Sequence, residues 1–143
     1  MAHYHGFTSS LLKLFFLISA IVILVSPALS AKPDADNLTG TWKAEFDTPI
    51  GMQNYTYIIK QEGTKLTGRI IGIVEGEKNE SDLLEGKFED GIITFVEIMD
   101  FLGEELRITY KGKFEGDEIN FTREVGEFAT DILVAKRVKP EGE

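Results

Sequence analysis

The 143-residue chain contains no cysteine, which excludes disulfides, thiolate nucleophiles, Cys-ligated metals and a lipid-bearing cysteine anchor. Histidine is nearly as scarce, with His3 and His5 the only two, and beyond residue 30 the one serine is Ser81. Ser–His and Cys–His nucleophilic machinery and His-ligated zinc or copper are thereby removed, and no metal or cofactor is expected. Basic residues are also short, 15 Lys plus Arg against 24 Asp plus Glu. Such an acidic chain repels phosphate backbones and anionic lipid, so nucleic acid is set aside as a partner.

Long apolar runs are missing but for one, Leu14 to Val25. It follows a weakly basic start and leads into Ser26-Pro27-Ala28-Leu29-Ser30, small residues suited to a cut after Ser30. This pattern predicts a secretory signal over 1–30, too short to remain as a spanning helix. Residues 31–143 then carry 14 bases and all 24 acids, a net charge of −10. Export without cysteine fits a bacterial periplasm or exterior, with no stable membrane insertion once the signal is gone. A polar lead-in over 31–38, one domain over 39–139 and a tail over 140–143 complete the expected organisation.

What remains is rich in glycine beside acids, separating short runs in which apolar and polar residues alternate. Period two predicts strands with one buried face. Eight are expected, at 40–47, 53–61, 64–74, 82–89, 92–100, 105–115, 118–125 and 131–138, with no helical period anywhere. Two-residue turns at Glu62-Gly63, Asp90-Gly91, Leu102-Gly103 and Gly116-Asp117 place Ile59 opposite Leu66, Phe88 opposite Ile93, Met99 opposite Leu106 and Phe114 opposite Ile119. Every pair is apolar, as a correct register requires, because a slip of one residue inverts all side chains. The same counting sets Gly68 opposite Tyr57, Gly86 opposite Phe95 and Gly112 opposite Phe121, inward glycines that allow sharp coiling beside rings that fill the gap. The expected fold is all-β, an eight-stranded antiparallel up-and-down barrel, closed because an open sheet of this length would expose its edges.

Gly40-Thr41-Trp42 opening the first strand, with Arg137 near the end of the last, resembles the calycins, the lipocalin and avidin type barrels. The resemblance implies structural roles for Trp42, which plugs one barrel end, and Arg137, which packs across its ring. The landmarks Gly40 to Trp42, Leu66 to Gly68, Gly116 to Ile119 and Ala135 to Arg137 are similar to those of small exported bacterial lipocalin-like domains. Such domains are often found with sugar-processing hydrolases, which implies a carbohydrate context.

Parity turns Glu97 and Arg123 inward among Phe95, Met99, Ile108, Tyr110 and Val125. A lone charge there would cost several kcal/mol, so the two are expected to meet across the lumen. Two uses of this pair remain open. It is either a structural ion pair or, with Tyr110, Tyr55 and Tyr57, the lining of a pocket for a small apolar or carbohydrate-like ligand. Catalysis has little to work with, since a glycosidase needs two facing carboxylates and only Glu97, with Asp131, is a candidate; no catalytic residue is assigned. Glu75, Glu77, Glu80 and Asp82 read as a long solvated loop without calcium-site spacing. Ile58, Ile71 and Ile73 face outward by parity and offer a patch for self-association or a partner. The chain therefore reads as a non-catalytic binding barrel, the alternative being an accessory module with a packed core.

Overall fold

The computed structural model describes residues 37–140. The expected signal over 1–30, the lead-in as far as residue 36 and the tail residues 141–143 lie outside the described residues. Eight strands follow one another: β1 Gly40–Thr48, β2 Gly51–Glu62, β3 Lys65–Val74, β4 Glu77–Glu89, β5 Ile92–Phe101, β6 Glu104–Glu115, β7 Glu118–Val125 and β8 Ala129–Arg137. Each pairs antiparallel with the next, and β8 returns to β1 through Trp42↔Arg137 and Lys43↔Lys136, closing a barrel of calycin-like form.

Glycine-bearing turns set the register. Asp90-Gly91 and Leu102-Gly103 hold positive φ at both positions, the geometry that matches strand twist. Phe88↔Ile93, Met99↔Leu106 and Phe114↔Ile119 pair as the sequence predicts. The β2–β3 turn differs. It is Gly63-Thr64, with Gln61 paired to Leu66 and Ile59 to Gly68, so that Tyr57 faces Ile70 rather than Gly68. Gly63 (φ 63°) takes the first turn position, where glycine's left-handed freedom is needed. The slide is two residues, so every side chain keeps its face.

The acidic segment from Glu75 to Asp82 is not a loop. Glu75-Gly76 forms a tight turn with positive φ at both residues, and β4 starts at Glu77. Its inward positions Asn79 and Ser81 are polar, which hides the alternation from a hydropathy reading. Further along, pairing jumps from Leu84↔Val96 to Lys87↔Thr94, a bulge at Glu85 that reverses parity so that Leu83 points in before it and Gly86 and Phe88 after it. Gly86 therefore sits in the bulge beside Phe95 and not squarely opposite it, while Gly112 does face Phe121.

Aromatic rings fill the interior. Tyr57 lies within 6 Å, centre to centre, of Tyr55, Phe95, Tyr110 and Phe121, and Phe95 stacks on Tyr110 at 4.4 Å. Each fully buried ring stabilises the fold by about 2–3 kcal/mol. At one end Trp42 is buried against Phe114, with Arg137 4.2 Å above its ring. Leu38, placed by the sequence in a polar lead-in, is also fully buried: its carbonyl accepts from Trp42 Nε1 at 2.9 Å and its N–H donates to Gln61 Oε1.

Candidate functional site

The inward alternation of β5, β6 and β7 brings Glu97, Tyr110 and Arg123 to one level of the barrel, with Glu97 and Arg123 nearly sealed from solvent. The two charges do not touch. Arg123 Nε donates to the Tyr110 hydroxyl at 3.0 Å, and that hydroxyl donates to Glu97 Oε2 at 2.7 Å. Arg123 Nη1 instead makes its ion pair with Asp131 of β8 at 2.8 Å, and Nη2 donates to the Tyr55 hydroxyl at 3.0 Å. The second Glu97 oxygen accepts from Ser81 of β4 at 2.9 Å. The expected direct Glu97–Arg123 contact is thus replaced by a relay, because the strands that carry them are separated by β6 and Tyr110 reaches between.

The electrostatics follow from that geometry. Burial favours the neutral phenols, and with the Glu97 charge nearby it pushes Tyr55 up to about 12; Tyr57 rises further for the same two reasons. Tyr110 rises through burial, then its phenolic neighbour Tyr57 and Glu97. Burial alone would lower Arg123, but the oxygens of Tyr110, Tyr55 and Glu97 outweigh it and raise the guanidinium above its ordinary value. The Tyr57 hydroxyl lies close enough to Tyr110 to feel it, yet forms no hydrogen bond of acceptable geometry and has no partner among the described residues.

Four of the five predicted ligand residues, Glu97, Arg123, Tyr110 and Tyr55, thus form one network, and Tyr57 packs against it. Ser81 and Asp131 belong to it too. Ser81 is hidden in the sequence because it falls in the acidic segment that reads as loop ahead of the expected strand at 82–89, and Asp131 stands out there only as a second carboxylate. Half-buried Met99, Leu106 and Val125 pack over the core toward the β5–β6 and β7–β8 turns. Among the described residues no cluster of three Asp, Glu, His or Cys is placed to hold a metal.

Two concavities lie on the barrel wall, and neither is lined by Glu97 or Arg123. The larger, about 860 Å³, runs along the β8–β1 seam with Phe46, Tyr55 and Leu133 in its floor. The smaller, about 420 Å³, opens by the β4 bulge and reaches the edges of Phe95 and Tyr110. Ile58 and Ile73 face outward, 43% and 41% exposed, and Ile71 between them is half-buried. A second apolar surface lies at one end of the barrel. The turns at the end opposite Trp42 carry exposed Ile50, Met52, Phe101, Leu102 and Phe128, the last two 90% and 84% exposed. No protein-family model, curated protein or solved structure matches the chain.

Proposed function

We propose that this chain is an exported, non-catalytic lipocalin-like barrel that works as an interaction module, docking a partner protein through the apolar turns opposite Trp42. The observation that carries the reading is the contrast between the ends. Ile50, Leu102 and Phe128 stand on three of the four turns at one end, whereas the turns at the other are Gly63-Thr64, Asp90-Gly91 and Gly116-Asp117. Exposed apolar side chains gathered in this way mark interaction sites. Asp47, Glu75, Asp100, Glu104 and Glu127 lie among these turns, so the complementary partner presents an apolar patch rimmed by Lys or Arg. The packed interior supports the same reading, since the charges of Glu97 and Arg123 have hydrogen-bond partners from within.

The test is chemical cross-linking of the exported protein in its native compartment, read by mass spectrometry. Wild type is expected to join a basic-rimmed partner through residues near Leu102 and Phe128, and the double variant Leu102→Glu/Phe128→Glu is expected to lose it. An unchanged cross-link pattern rejects the reading.

A second reading keeps a small apolar or carbohydrate-like ligand, seated in the seam cleft on the Tyr55 ring and not among Glu97 and Arg123. Its support is that the cleft floor includes Tyr55, which is bonded to Arg123. A thermal-shift screen against sugars, lipids and small aromatics tests it, because a ligand at 100 times its Kd adds about 2.7 kcal/mol.

A further inference from the structure

The barrel is closed unevenly. β1 and β8 are nine residues each, yet they share only Trp42↔Arg137 and Lys43↔Lys136. The next rungs in that register, Ala44 with Ala135, Glu45 with Val134 and Phe46 with Leu133, do not form. Other junctions carry eight to ten residue pairs, the bulged β4–β5 excepted. Beyond Lys43, then, each seam strand is laddered on one side only, β1 to β2 and β8 to β7.

The 860 Å³ cleft occupies this opening, with Lys43 to Phe46 on one bank and Ile132 to Val134 on the other. We propose that the open seam is a strand-docking site that takes an extended peptide segment with apolar side chains at alternate positions and a carboxylate at the closed end. This goes beyond the turn-surface reading by naming a second surface and the ligand chemistry that fits it.

Three features select that occupant. Strand edges lacking a neighbour offer main-chain donors and acceptors that only another extended backbone can satisfy in series. Alternate side chains of such a strand point to opposite faces. Those turned inward meet Ala44, Phe46, Tyr55 and Leu133, and those turned outward lie between Ile73 and Ile132. The carboxylate is called for by the last rung. Lys43 and Lys136 sit directly opposite one another, a like-charge pair that is unfavourable across strands. Lys136 has Glu118 at 3.7 Å, while Lys43 has no acidic partner among the described residues. A second copy of the chain is disfavoured, because the acidic surfaces of two copies repel.

The probe is a panel of fluorescent hexapeptides with Val, Ile or Phe alternating with Thr, each made with a free C-terminal carboxylate and as its amide. Saturable binding is expected, with the carboxylate form about threefold tighter, the size of an exposed ion pair. Lys43→Ala should erase that difference. Hydrogen exchange should show new protection at 44–47 and 131–134 when peptide binds. Absence of binding, equal affinity of the two forms, or protection elsewhere overturns the proposal. The variant Leu102→Glu/Phe128→Glu should bind the peptides as wild type does, so this site and the turn surface stand or fall separately.

Discussion

Arg123 reaches Glu97 only through the hydroxyl of Tyr110, which accepts from one and donates to the other. The guanidinium also donates to Asp131 and Tyr55, so one cation ties polar groups of the adjacent β6 and β8 and, across the lumen, of β2 into a single hydrogen-bonded layer. A buried charge arranged in this way adds little net stability, but any gap in the arrangement is expensive.

Removing one member therefore tests which contact balances the charge. Asp131→Asn leaves Arg123 without its direct carboxylate and is expected to cost about 3 kcal/mol. Tyr110→Phe orphans Arg123 Nε and one Glu97 oxygen and should cost about as much, whereas Glu97→Gln keeps the shape and should cost about 1 kcal/mol. Urea denaturation of the three variants gives the order. If Glu97→Gln were the most damaging, the relay through Tyr110 would outweigh the ion pair.

The glycines facing the core should fail in a definite order. A Cβ on Gly68 would stand 1.8 Å from the backbone oxygen of Ile58, which cannot retreat without breaking the sheet. On Gly112 it would meet Phe121 Cδ1 at 2.4 Å, and a ring can shift. Gly112→Ala is expected to cost about 1–3 kcal/mol, in the range of overpacked cores, and Gly68→Ala more than that. Denaturant midpoints of the two variants check the ranking.

What made the fold legible was the chemistry of its turns. Asp90-Gly91 and Leu102-Gly103 announce themselves, and once fixed they hand the correct face to Phe88, Met99 and Leu106. Glu62-Gly63 misled by one step because glycine at either turn position is plausible from sequence. β4 is the weakest element for a physical reason: its inward positions Asn79 and Ser81 are polar, Ser81 bonding Glu97 while Asn79 stays exposed, and no hydropathy period records that. The candidate residues were legible by parity, but the Tyr110 relay and the Asp131 pairing depend on side-chain reach across strands, which strand arithmetic does not supply. The unpaired β8–β1 seam is equally silent, since it arises from closure geometry and not from any residue.

Alkaline instability follows from the three tyrosines. Tyr55 is raised to about 12, and Tyr57 and Tyr110 are raised above their ordinary value, chiefly by burial. Above about pH 10 the unfolded chain releases phenolic protons that the native barrel retains, so stability falls as pH rises. Each tyrosine contributes at most about 1.4 kcal/mol per pH unit, giving a limit of about 4 for the three. Below about pH 9 the same groups are protonated in both states and contribute no slope. Urea midpoints measured on either side of pH 10 should show the drop, and Tyr55→Phe should remove about a third of it. A stability that stays level through that range would mean the phenols ionise inside the folded barrel.

Arg137 is expected to matter through its shape and not only its charge. It stacks 4.2 Å over Trp42 while Nη1 donates to the Thr39 carbonyl at 3.2 Å and Nη2 to the Asn37 carbonyl at 2.8 Å. Its Nε also lies 3.4 Å from Asp117. Residues 37–39 are thus fastened over the barrel end, with Leu38 beneath. Arg137→Ala should cost about 2 kcal/mol, summing a cation–π contact and two hydrogen bonds to a charged donor at partial exposure. Arg137→Lys should cost nearly as much, since an ammonium cannot stack on the ring and serve two carbonyls at once. Trp42 is the only tryptophan, so its fluorescence reports the plug directly. Both variants should shift its emission to the red and speed amide exchange at Leu38. A lysine variant with wild-type emission and midpoint would show that positive charge alone holds the plug in place.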